Sequence, residues 1–192
     1  MRLVMSDYDN PRPKISPTRK WIGLGLLILL AAIGGGFLSG RIGDYVVTSG
    51  SMEPTLQIGD YLFVDSRRPV VPRRGDIIAF WNPEKPEERL VKRVVGMPSD
   101  EVRFEDGVFF LNGKAQYNEY YVTTQQIQDL PDQPTITLGV DEYYVLGDNR
   151  AYSFDSMNFG PVRSDAMIGI VKYIYWPRNR MGPVKNPNDE QN

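Results

Sequence analysis

There is no histidine and no cysteine anywhere in the 192 residues of this chain. Without histidine a Ser-His-Asp hydrolase cannot be assembled. Without cysteine, thiolate nucleophiles and Cys/His metal sites are excluded as well. A disulfide-free chain of this size is ordinary in either redox compartment, so the missing cysteine assigns no location. A strong charge of one sign is also lacking. The 22 basic and 24 acidic residues leave a formal charge of -2. They are intermixed, and no basic stripe with interleaved aromatics recommends nucleic acid as a partner. If a hydroxyl of this chain acts as a nucleophile, its proton must pass to a lysine, a carboxylate, a tyrosine or a terminal amine.

One long apolar run is present, from Trp21 to Gly40, with no charge between Lys20 and Arg41. Twenty helical residues rise about 30 Å, the thickness of a bilayer core. A helix packed on the core of a soluble domain should show one polar face, and this run has none. A cleaved signal peptide is the competing reading, but the run is long for one and some twenty residues precede it. The sequence therefore predicts one N-terminal transmembrane helix over residues 21–40. Arg2, Arg12, Lys14, Arg19 and Lys20 precede it, and only Arg41 follows closely. That asymmetry predicts a cytoplasmic tail over 1–20 and an extracytoplasmic domain beyond the span, in a single-pass cell-membrane protein. A plasma membrane, an organelle membrane and a thylakoid all remain open. Residues 177–192, rich in Pro, Asn and Arg, read as a disordered tail.

Residues 41–176 read as mostly strand. Apolar runs bounded by turn residues occur at 60–65, 76–81, 89–95, 142–146 and 168–175. Val102-Arg-Phe, Val108–Leu111 and the separating Asp106-Gly107, with Asn112-Gly113 after them, carry the strongest short hairpin signals. The expected fold is mainly β: an antiparallel, partly barrel-like domain. Thr123 to Thr137 is polar and reads as a surface excursion. After the termini are set aside, about 135 residues remain, ample for one core.

Three segments could carry chemistry. Ser49-Gly-Ser51-Met-Glu-Pro-Thr55 is a turn stiffened by Pro54 that could hold Ser51 in one direction, though a glycine–serine surface turn is the plainer reading. Lys92 lies among Leu90, Val91, Val94 and Val95. On an apolar face it would be desolvated and its pKa lowered, as a base requires. A solvated edge pair with Arg93 is the alternative. The third segment, Gly147-Asp-Asn-Arg-Ala-Tyr-Ser-Phe-Asp-Ser156, is dense in polar groups. Ser153 could orient an amine, and Arg150 could pair with Asp155.

In this order, after an apolar anchor, the segments resemble the type I signal peptidases, membrane-bound serine proteases with a Ser/Lys dyad. Arg74-Gly-Asp-Ile-Ile-Ala-Phe80 and Lys92-Arg-Val-Val-Gly-Met-Pro-Ser-Asp100 complete the set. The resemblance implies a β domain of signal peptidase/LexA type, with Ser51 as nucleophile and Lys92 as general base. It implies an oxyanion hole from the Ser49 hydroxyl and the Ser51 N–H. Ser153 would bond Lys92, and Arg150 and Asp155 would form a structural pair. Shallow apolar pockets would accept small side chains, and Val47, Met52, Leu56 and Val91 are the candidates to line them. No cofactor or metal is implied. The implied partners are preproteins emerging from the export machinery and the lipid bilayer. Ala151-Tyr152 stands where Asp-Asn is frequent, Ser99 where glycine is usual, and Pro161 where a bulky apolar residue is common. A self-cleaving regulator of the same Ser/Lys class and an inactive anchored binding domain share the expected fold and stay open.

Overall fold

The computed structural model describes residues 17–38, 42–116 and 132–190. The chain divides into two compact units, Met1–Ser39 and Gly40–Asn192. The first contains helix α1, Pro17–Leu38. Eight large apolar residues between Trp21 and Leu30 are exposed, and successive steps of about 100° spread them over the whole circumference. Among the described residues, no helix is long and apolar enough to cross a membrane. The span expected over 21–40 thus stands on the sequence alone. Tail residues 1–16 lie outside the described residues.

The second unit is mainly β. Its strands are β1 Ile42–Val46, β2 Tyr61–Asp65, β3 Ile77–Trp81, β4 Arg89–Gly96, β5 Glu101–Glu105, β6 Val108–Leu111, β7 Lys114–Gln116, β8 Gln133–Thr137, β9 Glu142–Leu146, β10 Val162–Arg163, β11 Met167–Trp176 and β12 Gly182–Pro183; a short helix, α2, spans Ser156–Phe159. The larger sheet runs β1-β2-β11-β3-β4-β9-β10, with β12 added on β11. The smaller runs β7-β6-β5-β8. All pairings are antiparallel. The larger sheet is an open path ending on β1 and β10 and does not close into a barrel.

Local chemistry explains the small sheet. Asp106-Gly107 and Asn112-Gly113 all sit at positive φ, as two-residue hairpin loops require for the right-handed twist of their strands. Their registers follow, with Glu105 opposite Val108 and Leu111 opposite Lys114. β8 is less legible. It lies in the polar segment read as a surface excursion, yet Gln133–Thr137 pairs with β5. The part of that segment from 123 to 131 lies outside the described residues.

Three apolar clusters fill the unit. One gathers Met52 and Leu56 with β2, β3 and β11, and the second sits between β3, β4 and β9. The third joins the small sheet to Tyr144 and Leu146. Leu90 and Val94 pack in the second cluster and Val91 in the first, the alternation expected of β4. The disordered tail expected over 177–192 is corrected over 177–190. Asn186 is buried, and β12 extends the sheet.

Candidate active site

Ser51 lies on a 3-10 turn, Gly50–Met52, in the connection from β1 to β2. Apolar neighbours in the chain fix this turn. Met52 and Leu56 are 2% and 0% exposed, and Leu56 N donates to Met52 O at 2.9 Å. Burying those two side chains pins the backbone and leaves Ser51 with 7% exposure. The hydroxyl of Ser49 is 3.2 Å from that of Ser51.

Lys92 comes from the middle of β4, opposite Ile78 of β3. β4 lies between β3 and β9, so the edge-pair reading of Lys92 and Arg93 is overturned. Their exposures are 2% and 0%. Lys92 Nζ donates to Ser51 Oγ at 2.9 Å and to the Val91 carbonyl at 3.1 Å. Burial strips water from the ammonium and brings its pKa down from 10.5 to about 8, although the carboxylates of Asp155 and Asp148 pull it upward. At pH 7 roughly one amine in ten is then neutral, against about one in three thousand for a free lysine.

A buried ion pair that the sequence did not single out lies beside the site. Arg93 Nε and Nη2 donate to the two oxygens of Asp148 at 2.8 and 2.6 Å, and both side chains are 1% exposed. Arg93 Nη1 donates to Gly75 O at 2.7 Å, and Thr55 Oγ1 donates to Asp148 at 2.6 Å. A buried charge pair is tolerated when the fork is matched and the remaining lone pairs are occupied, as here. Asp155 instead caps α2, accepting from Met157 N, and accepts from Gly147 N at 2.9 Å. Arg150 Nε donates to the Gly147 carbonyl at 2.9 Å. Arg150 and Asp155 thus hold Gly147 from two sides, one on its carbonyl and one on its N–H, and the Asp155 carboxylate lies near enough to Arg150 to favour the charged guanidinium. The two oxygens of Asp155 are already committed to backbone N–H groups.

The bond expected between Ser153 and Lys92 is corrected. The Ser153 hydroxyl is buried without a hydrogen bond of ordinary geometry. It lies near enough to Asp155 to favour the ionised carboxylate, but burial dominates and raises the pKa of that group. Residues that sequence reasoning passed over complete the frame. Asn149 N donates to Ser51 O at 3.0 Å and Asn149 Nδ2 to Gly50 O at 3.2 Å. Gly147 is needed for this approach, since a Cβ there would fall 2.5 Å from Ser51 O. Arg93 and Asp148 both lie within segments already quoted for the site, Arg93 directly after Lys92.

A cavity of about 290 Å³ opens beside the pair. Val47, Met52, Leu56 and Val91 all line it, with Ser49, Ser51 and Lys92. Among the described residues no group of three or more acidic side chains is placed to hold a metal ion.

A buried hydroxyl hydrogen-bonded to an amine of lowered pKa, at a cavity lined by both apolar and polar side chains, has the chemistry for acyl transfer. That arrangement, on an open antiparallel β scaffold, is the class of site the fold defines. Residues 18–176 match the family described as signal peptidase, peptidase S26. The chain is 34% identical over 179 residues to the probable signal peptidase I-2 of Synechocystis sp., covering 86% of this chain and 78% of that protein. It is 30% identical over 190 residues to signal peptidase IB of Staphylococcus aureus, covering 90% and 97%. A solved signal peptidase I from Enterococcus faecalis is 31% identical, with a TM-score of 0.45, covering 52% of this chain and 96% of that one. The chain belongs to the signal peptidase family, peptidase S26, and is an enzyme of that family.

Proposed function

We propose that this chain is a membrane-anchored serine endopeptidase that removes signal peptides from exported preproteins, cutting after small residues of the Ala-X-Ala type. The observation that carries this reading is the 2.9 Å contact between Lys92 Nζ and Ser51 Oγ inside the fold. In the proposed reaction, neutral Lys92 takes the Ser51 proton as Oγ bonds to the scissile carbonyl carbon. The Ser51 N–H and the Ser49 hydroxyl serve the oxyanion. The Lys92 ammonium then gives its proton to the leaving nitrogen, the C–N bond breaks, and an acyl ester remains on Ser51. Lys92 next takes a proton from water. The hydroxide attacks the ester, and Oγ leaves with the proton. No cofactor enters this scheme.

A cavity of about 290 Å³ lined by Val47, Met52, Leu56 and Val91 suits small apolar side chains. The anchor over 21–40 follows from the uncharged run and its flanking charges. It would hold enzyme and substrate in one plane and so raise their effective concentration. Residues 1–20 would be cytoplasmic, and the domain from residue 41 onward would face the other side.

The test is cleavage of a purified preprotein with an Ala-X-Ala site by wild type, Ser51→Ala and Lys92→Ala in detergent, each checked for folding. Cleavage after Ala-X-Ala, lost in both variants, supports the reading. Cleavage that survives either folded variant sinks the dyad. No cleavage of several preproteins by folded wild type sinks the assigned substrate.

A further inference from the structure

The family match stops at Trp176, yet the next fourteen residues pack on the same unit as the site. β12 pairs with β11, setting Pro183 opposite Tyr173, and Val184 N donates to Lys172 O at 2.9 Å. Two side chains of this segment reach the two structures that carry Ser51 and Lys92.

Arg180 reaches the serine side. Its Nε and Nη2 donate to the two oxygens of Asp60 at 2.7 and 2.9 Å, and Nη2 donates to Thr55 O at 3.0 Å. Asp60 is 1% exposed. Its carboxylate accepts from Gln57 N, and its carbonyl accepts from Val47 N. It therefore closes the loop that contains the Ser51 turn. Thr55, four residues after Ser51, is thus held on its carbonyl by Arg180 and on its hydroxyl by Asp148.

Asn186 reaches the lysine side. Its Nδ2 donates to Arg74 O at 3.0 Å and to Asp76 Oδ1 at 2.8 Å, and its Oδ1 accepts from Asn188 N. A Cβ on Gly75 would fall 2.4 Å from Asn186 Oδ1, so the two segments are in direct apposition. Gly75 N and Asp76 O bond the peptide groups of Val94 at 2.8 and 2.9 Å, and Gly75 O holds Arg93. This turn fixes β4 one and two residues from Lys92.

We propose that residues 177–190 form a strap that sets the Ser51 turn and the Lys92 strand at their working separation, with Arg180 and Asn186 as positioning residues. The inference rests on the reading of Ser51 and Lys92 as the reacting pair. Neither Arg180 nor Asn186 lines the cavity. Their loss therefore acts on the chemical step and spares substrate binding.

The test uses the full chain in detergent, with Arg180→Ala, Asn186→Ala and the double variant beside Ser51→Ala and Lys92→Ala. Preprotein cleavage is followed as kcat and KM from pH 6 to 10, with thermal melts to fix the folded fraction. The double variant should lose roughly ten- to a hundred-fold in kcat, the scale of an ångström-sized misplacement, with KM little changed. Its kcat profile should move to higher pH, because a loosened pair admits water to the amine. Folded strap variants with wild-type kcat and profile, or a loss confined to KM, would overturn the strap. If the alanine variants do not fold, Arg180→Lys, which keeps charge but loses the fork, and Asn186→Ser carry the same comparison at a temperature where both are folded. Activity surviving in Ser51→Ala or Lys92→Ala would defeat the dyad itself. Loss in those two with intact strap variants would defeat the strap alone.

Discussion

Replacing Lys92 by methionine keeps most of the stem and removes the amine, and the consequence can be worked out from the buried site. The folded-state pKa is lowered from 10.5 to about 8 by burial, which corresponds to about 3 kcal/mol. Between pH 8 and 10.5 the unfolded chain holds a proton here that the folded chain has released. Wild-type stability should therefore rise with pH through that window, and below pH 8 the fold carries the full cost of a buried ammonium. The variant lacks this cost. It also loses the bonds to Ser51 and Val91, worth about 1 kcal/mol net. At pH 7 Lys92→Met should be about 2 kcal/mol more stable than wild type; the advantage should vanish between about pH 9 and 10 and turn into a deficit approaching about 1 kcal/mol at higher pH.

Urea unfolding of both proteins at unit pH steps from 6 to 10 measures this directly, since a change in midpoint at constant slope is a change in stability. The same amine should govern the rate. Wild-type kcat/KM should rise about tenfold per pH unit below 8 and level off above it. A variant less stable than wild type at pH 7, or stability curves that run parallel across the window, would refute the argument that burial lowers the Lys92 pKa.

Other outcomes follow from the frame around the pair. Arg93→Met leaves Asp148 buried without its fork and should cost about 3–5 kcal/mol in chemical unfolding. By exposing Lys92 to an uncompensated carboxylate, it should also move the rate profile to higher pH. Gly147→Ala drives a methyl group toward Ser51 O and Ser153. It should lower kcat on the order of a hundredfold in a protein that still folds, as steady-state cleavage would show. Ser99 holds φ +70, a region costly for a residue with a Cβ, so Ser99→Gly should stabilise by about 0.5–1 kcal/mol in a thermal melt. Val91→Phe fills the cavity and should raise KM for a preprotein while leaving the Lys92-governed profile in place.

The parts of this fold that were legible in sequence are those fixed by neighbours in the chain. Asp106-Gly107 and Asn112-Gly113 announce their hairpins because only certain residues accept positive φ at both centres. β3, β4, β9 and β11 were legible as short β-branched and aromatic runs. What stayed hidden depends on partners far along the chain. β8 is a strand because β5 offers an unpaired edge, not because Gln133–Thr137 favours one. Residues 177–190 look disordered because Arg, Asn and Pro seldom build a core. Here Asn186 and Arg180 bond to peptide groups and carboxylates more than a hundred residues away. The Arg93–Asp148 pair was missed for the same reason. Charge and proximity in sequence pointed to Arg150 and Asp155, and only the packing of β4 against β9 shows which carboxylate the guanidinium reaches.

The absence of histidine makes this frame intelligible. An imidazole would be half neutral near pH 6.5 with no help from the fold, whereas a lysine must be forced there. The force is desolvation, which requires a strand with neighbours on both sides, and Lys92 sits on such a strand. Desolvation brings a second difficulty, because any unpaired carboxylate nearby would attract the proton back. Asp148 and Asp155 are both close enough to raise the Lys92 pKa. Each has its charge spread over partners of its own: Arg93 and Thr55 for Asp148, the N–H groups of Gly147 and Met157 for Asp155. The polar groups around the site thus have a common effect. They satisfy the acids without using the amine, and among the described residues they leave Ser51 Oγ as the one side-chain atom that Lys92 bonds.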